Sequence, residues 1–172
     1  FFVREYGIYN GYSLSLLLLP SFIINALCTS LIPEIAKNYS KRNINLVKRR
    51  IKQILISSFL FGLIITSFIF FNRFYLLNLI YNTNLGANYL ALLSIFFVLY
   101  YLEAPLSAIL QSLNYSKYTM KTTAIGVIIK LILMFLLTFL NIGIYSLIIA
   151  EFFNIIYVVY NNYSKIKKIL KK

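Results

Sequence analysis

Long apolar runs separated by short polar stretches dominate the pattern of this chain. A helix needs about 20 mostly apolar residues to cross the hydrocarbon core of a bilayer. Five runs approach that length, and we predict a transmembrane helix in each, at residues 12–32, 54–71, 89–110, 122–140 and 143–161. The predicted fold is therefore all-α, a polytopic membrane helix bundle of about five transmembrane helices. We expect residues 1–172 to form a single membrane domain.

Most of the basic residues lie in the connections between these runs and in the tail. The chain is 60% hydrophobic and 12% charged, with a net charge of +13, which is too apolar for a soluble domain. The connection at 37–52 and the tail are rich in Lys and Arg, whereas the connection at 72–88 has only Arg73. Since basic loops stay inside, we predict a cytoplasmic C-terminus. The charge then indicates contact with the bilayer and its anionic lipid headgroups, not with nucleic acid.

The basic connection at 37–52 also has an apolar side. Ile44, Val47 and Ile51 recur at helical spacing, with Lys48 and Lys52 beside them. This pattern predicts an amphipathic helix lying along the inner leaflet before the second span. An ordinary solvated basic loop is the alternative.

The residue types that most enzymes and metal sites use are scarce. The chain has no His and no Asp, and its one cysteine, Cys28, lies in an apolar run. Neither a zinc site nor a disulfide framework can be built from these residues. A membrane glycosyltransferase or polymerase needs acids or His at a membrane face, where this sequence offers only Glu5 and Glu34. We therefore predict no enzyme activity, no cofactor and no metal.

Lys130 is the charge that most needs an explanation. It lies eight residues into its predicted span, about 12 Å deep at 1.5 Å per residue, and so near the middle of a core about 30 Å thick. Treating neighbouring spans as antiparallel hairpins places Glu103 level with Lys130, and Glu151 and Asn154 within a turn of it. Because charges inside membranes tend to be paired, we predict that Lys130 faces the bundle interior, with Glu103 its first choice of partner. A structural ion pair and a cavity cation for an anionic headgroup remain open.

Polar residues recur every three or four positions in several spans, which indicates a shared polar interior. Pro20 and Pro105 are helix-kink candidates, since proline removes a backbone donor and frees a carbonyl. Each is either a packing kink or a broken helix beside a substrate path. The candidates for a substrate cavity are Lys130, Glu103, Glu151, Asn25, Gln111 and Asn154.

Several stretches resemble one transporter family. They are "YGIYNGYSLSLLLLPSFIINALCTSLIPEIAK", "LSAILQSLNYSKYTMK" and "GVIIKLILMFLL", in that order along the chain. Together they are similar to the polysaccharide-exporter branch, of stage V sporulation protein B type, of the multidrug/oligosaccharidyl-lipid/polysaccharide exporter superfamily. The resemblance covers nearly the whole chain.

The resemblance implies a flippase fold of two six-helix bundles around a central cavity, in the bacterial cytoplasmic membrane. This chain would supply helices eight to twelve, and the preceding half of the same protein would be its partner. Such proteins move lipid-linked oligosaccharide or polysaccharide precursors by alternating access, without hydrolysing ATP. Lipid II flippases carry an arginine near the start of helix eight, whereas "GYSLSLLLLP" has no basic residue. An ion-coupled multidrug antiporter of the same superfamily and a non-transporting structural membrane protein are the alternatives.

Overall fold

The computed structural model describes residues 2–140 and 142–171 of the chain, with side chains for 3–140 and 142–170. Asn141, in the predicted fourth connection, and Lys172, in the tail, lie outside the described residues. Within them the chain is helical apart from short turns, which confirms the predicted all-α class. The elements are α1 (Phe2–Ile8), a π-helix (Tyr9–Leu14), α2 (Ser15–Leu18), α3 (Ser21–Ser40), α4 (Ile44–Tyr81), α5 (Ala87–Ser112), α6 (Ser116–Thr138) and α7 (Tyr145–Lys171).

Three of these helices, α4, α5 and α6, are long and apolar enough to cross a membrane. The helical segments Val3–Leu18 and Ser21–Ser40 pass the same test only as a pair bent by 41°. The described residues therefore contain three candidate spans, or four with the bent pair, where the sequence pattern predicted about five. The fifth predicted span lies mostly in α7, whose apolar part is interrupted by Glu151 and Asn154 and ends at Asn161 and Asn162 before a run of lysines.

Helix α5 lies at the centre of the bundle. It packs against α3, α4, α6 and α7, and the side chains of Phe97, Tyr101, Leu106 and Ile109 are at most 1% exposed. A helix that contacts neighbours on most sides must be apolar nearly all round. Helix α6 packs mainly against α7, at the edge of the bundle. Any polar group on the inner side of α6 is consequently presented first to α7.

Helix α4 corrects two predictions about the connections. It runs from Ile44 to Tyr81, about 57 Å at 1.5 Å per residue, and is therefore longer than the bilayer core. Its early apolar positions Val47 and Ile51 are buried in the bundle. The predicted amphipathic helix does form from Ile44, with its apolar side buried, but it is continuous with the second span as the first turns of α4 and does not precede that span along the leaflet. The predicted loop at 72–88 is also mostly helical, with non-helical backbone angles only at Asn72 before α4 resumes.

The helix breaks where Pro20 enters it. Proline has no N–H, and the turn at Leu19 and Pro20 separates α2 from α3. Two carbonyls just before the break accept side-chain hydrogen bonds instead: Leu18 from Ser21 Oγ at 2.6 Å, and Leu17 from the Tyr101 hydroxyl at 2.5 Å. Polar backbone groups in an apolar bundle need such partners.

Pro105 behaves differently from Pro20. It is buried inside α5, and that helix runs from Ala87 to Ser112 without interruption. No broken helix forms at this proline.

Candidate functional site

Lys130 forms an ion pair with Glu151 across the interface of α6 and α7, Nζ to Oε2. The lysine side chain is 29% exposed and the glutamate 14%. The prediction that Lys130 meets a carboxylate inside the bundle is confirmed, but the choice of Glu103 as first partner is wrong. The reason is the packing, since α6 packs mainly against α7 and makes a smaller contact with α5. Treating neighbouring spans as antiparallel hairpins identified the residues level with Lys130, but it did not show which neighbouring helix the lysine side chain faces.

Asn154 continues the site one turn along α7. Its Nδ2 lies 3.5 Å from Glu151 Oε1, a distance at which a hydrogen bond is weak. Its Oδ1 is buried without a hydrogen-bond partner among the described residues. Gly126 on α6 makes this approach possible, because a Cβ there would meet Asn154 Oδ1 at 2.5 Å and Val158 Cγ2 at 2.8 Å. A glycine one turn before Lys130 thus brings α6 close enough to α7 for the ion pair to form.

Glu103 on α5 belongs to the same cluster without joining the ion pair. It lies within electrostatic reach of both Lys130 and Glu151. The two ion pairs in the described part of the chain are Lys130–Glu151 and Arg50–Glu34, so Glu103 is in neither. The interior cluster therefore holds two carboxylates and one ammonium group, which leaves one negative charge or one proton to be accommodated.

Two tyrosines lie beside the cluster, Tyr9 outside the predicted spans and Tyr100 on the predicted polar face of the third span. Tyr9, in the π-helix, is 2% exposed and lies within electrostatic reach of Glu151. Tyr100, on α5, lies within the same reach of Glu103 and Glu151. Tyr9 precedes the first predicted span and was therefore overlooked. A π-helical turn often marks a functional position, but it leaves no pattern in the sequence.

Asn162 is a further buried polar residue, one that the sequence pattern does not single out. It is fully buried between α7 and α5, and its Nδ2 donates to Ser107 Oγ at 3.3 Å. It follows Asn161 directly, and only the helical register shows that Asn162, not Asn161, faces α5.

The remaining cavity candidates lie away from the cluster. Asn25 is exposed on α3 and Gln111 is exposed near the end of α5. The six candidates thus divide into four that the structure brings together, Lys130, Glu151, Asn154 and Glu103, and two that it does not. No group of three His, Cys, Asp or Glu residues suited to a metal ion occurs among the described residues.

Comparison with known proteins places this bundle in a family. The sequence profile of the MatE family matches residues 11–136. The chain belongs to the MatE family. The MatE match includes Pro20, Glu103, Pro105 and Lys130, whereas Glu151 lies beyond its end.

One curated relative is similar to most of the chain. Stage V sporulation protein B of Bacillus subtilis (strain 168) is 33% identical over 134 residues, which are 78% of this chain and 26% of that protein. This MatE chain therefore spans about a quarter of the length of the curated relative it matches. No solved structure matches it significantly.

Proposed function

We propose that this chain is part of a flippase that moves lipid-linked oligosaccharide or polysaccharide precursors across the bacterial cytoplasmic membrane. Membership of the MatE family and the 33% identity to stage V sporulation protein B support a transporter of this superfamily. In this proposal residues 1–172 form one membrane domain, corresponding to helices eight to twelve of a two-bundle protein. The protein acts by alternating access and performs no enzymatic step.

The observation that carries the proposal is the ion pair of Lys130 and Glu151. A lysine at this depth is costly unless it is paired or reaches water, and its side chain keeps 29% of its surface accessible. An anionic group such as a pyrophosphate can therefore approach Lys130 and compete with Glu151 for the ammonium. Binding of the anionic group to Lys130 would weaken the ion pair with Glu151 and so loosen the packing of α6 against α7.

Glu103 offers Lys130 a second carboxylate partner. Because Glu103 lies within electrostatic reach of Lys130, a small movement of α6 relative to α5 would exchange one carboxylate partner for the other. An element with two discrete pairings whose balance a ligand shifts is what alternating access requires. In this scheme the substrate anion and the two glutamates share one cation in turn.

The distribution of basic residues supports the orientation in the membrane. We place the connection between α3 and α4 and the C-terminal end of α7 in the cytoplasm, because Lys and Arg concentrate there. The turn between α4 and α5 then lies outside. Anionic lipid headgroups of the inner leaflet would contact the basic ends of the helices.

An ion-coupled multidrug antiporter is the second candidate function. The specific observation in its favour is the excess carboxylate, since Glu103 and Glu151 share a single lysine. A carboxyl group without its own cation is suited to take up and release a proton during a transport cycle.

Transport by the complete protein in proteoliposomes distinguishes the candidates. A fluorescent undecaprenyl-pyrophosphate-linked saccharide is supplied, and its accessibility to an impermeant quencher reports movement between leaflets. The flippase proposal expects movement that Lys130→Met abolishes. Proton-driven uptake of a cationic dye, lost in Glu103→Gln, without movement of the lipid-linked saccharide would overturn the proposal in favour of antiport.

A further inference from the structure

An open apolar groove runs between α4 and α7. It consists of two adjoining cavities of about 480 and 500 Å³ that share Leu55, Ile56 and Tyr163. Helix α4 forms one wall, α7 the other, and α5 the floor of the deeper part. The groove is therefore continuous over both cavities.

The deeper cavity is lined by aliphatic and aromatic side chains only. Several of them stay substantially exposed in the folded chain: Ile56 is 47% exposed, Leu60 53%, Tyr160 70% and Tyr163 52%. Exposed apolar side chains that line a concavity indicate a partner of apolar surface. On a membrane-spanning helix bundle that partner can be a lipid acyl chain.

The other end of the groove carries positive charge. Lys48 and Lys52 of α4 and Lys167 of α7 line the second cavity, and all three are exposed. The carboxylates of the chain are engaged elsewhere, Glu34 with Arg50 and Glu151 with Lys130. Neither Glu5, which accepts a hydrogen bond from Tyr89, nor Glu103 is among the residues that line the groove. No carboxylate of the described chain therefore neutralises the three lysines.

The length of the groove matches one leaflet. From Lys48 to Leu60 the rise along α4 is about 18 Å, and half of the hydrocarbon core is about 15 Å thick. The three lysines then lie at the level of the headgroups while the residues around Leu60 reach toward the middle of the bilayer.

We propose that this groove binds an anionic phospholipid of the inner leaflet, with one acyl chain between α4 and α7 and its phosphate on Lys48, Lys52 and Lys167. The three lysines at one end of the groove favour an anionic headgroup, and the apolar walls hold the acyl chain. This site lies between α4 and α7, whereas the ion pair of Lys130 and Glu151 lies between α6 and α7, and it does not depend on which substrate the protein transports.

A bound lipid in this position would connect α4 to α7. The headgroup bridges lysines from both helices, so the lipid would stabilise their packing and link the state of the bundle to the composition of the leaflet. Both helices also pack against α5, which carries Glu103. The groove thus provides a route by which lipid composition affects the interior cluster.

The first test measures lipid retention by native mass spectrometry of the complete protein released from bilayers of mixed phosphatidylglycerol and phosphatidylcholine. The variant combines Lys48→Gln, Lys52→Gln and Lys167→Gln. Its control removes the same charge from exposed lysines away from the groove, with Lys41→Gln, Lys117→Gln and Lys121→Gln. We expect the groove variant to lose at least tenfold in retained phosphatidylglycerol and the control to lose less than twofold. Equal losses in the two variants would show a general basic surface and overturn the site.

The second test locates the acyl chain. These 172 residues contain no Trp. With any Trp in the rest of the complete protein replaced by Phe, Tyr160→Trp introduces a reporter in the groove and Phe135→Trp, at an exposed position of α6, a control. We expect brominated phosphatidylglycerol to quench Tyr160→Trp at least twofold more than brominated phosphatidylcholine, with no preference at Phe135→Trp. The preference should disappear when the three groove lysines are replaced and persist when soluble glycerol phosphate is added. Equal quenching by both lipids at Tyr160→Trp, or displacement by glycerol phosphate, would overturn the proposal.

Discussion

The hydroxyl of Tyr101 on α5 donates to the backbone carbonyl of Leu17 at 2.5 Å, just before the helix breaks at Pro20. Tyr101 is 1% exposed, and its ring also packs against Gly62 of α4, where an added Cβ would lie 3.1 Å from the ring. One side chain therefore satisfies a carbonyl at the break and fixes the spacing of three helices. The bend between α2 and α3 therefore depends on this contact as well as on Pro20.

Tyr101→Phe removes only the hydroxyl and should lower the free energy of unfolding. The carbonyl of Leu17 would lose its donor in an apolar environment, and an unsatisfied buried acceptor costs about 1–3 kcal/mol. Thermal unfolding of the purified protein in detergent measures the change.

Tyr81→Phe is the control for Tyr101→Phe, since the half-buried Tyr81 at the end of α4 makes no side-chain hydrogen bond within the described chain. If both variants unfold at the same temperature as the original protein, the hydrogen bond has no structural role.

Lys130→Met should impair folding or transport more than the double change Lys130→Met with Glu151→Gln. The single change leaves the carboxylate of Glu151 without its cation, at a cost of about 2 kcal/mol, below the roughly 3–5 kcal/mol of a fully buried pair, because the pair is partly exposed. The double change removes both charges.

Glu103→Gln serves as the matched second replacement in the Lys130→Met background. Since Glu103 is not the partner in this structure, it should rescue less than Glu151→Gln does. Equal rescue by both would mean that the two glutamates share Lys130 in the membrane, and no rescue by Glu151→Gln would contradict the pair. Yield of folded protein and transport rate are the two readouts.

Gly126→Ala should loosen the interface of α6 and α7. Its new methyl group would overlap Asn154 and Val158, and overpacking of this kind costs about 1–3 kcal/mol. Gly7→Ala is the control, because nothing lies within 4 Å of a Cβ at that position. A lower melting temperature for Gly126→Ala is the expected result, with that of Gly7→Ala unchanged or slightly raised because alanine favours a helix more than glycine does, and the reverse order would contradict it.

Single cysteines test the orientation of the helices. The background is the complete protein without its own cysteines, Cys28→Ser included. In it, Asn45→Cys at the start of α4 and Asn84→Cys in the turn before α5 both occupy exposed positions. We expect an impermeant thiol reagent to label Asn84→Cys in intact cells and Asn45→Cys only after the cells are opened. Labelling of Asn45→Cys in intact cells would reverse the proposed topology.

The sequence by itself determined the class of this protein. Apolar runs of membrane-spanning length can only be helices in a bilayer, because every backbone group must be satisfied within the segment. The depth of Lys130 likewise followed from counting residues along a helix of known rise, and its need for a carboxylate followed from the cost of a lone charge.

The tertiary structure alone decided which carboxylate that is. Glu103 and Glu151 are both near the right depth, and only the packing of α6 on α7, permitted by Gly126, selects Glu151. The burial of Tyr9 could not be predicted from the sequence either, because it depends on how the π-helix before the bend at Pro20 packs against the rest of the bundle. Depth is a local property of one helix, whereas partner choice depends on how helices rotate and cross, which residue spacing does not encode.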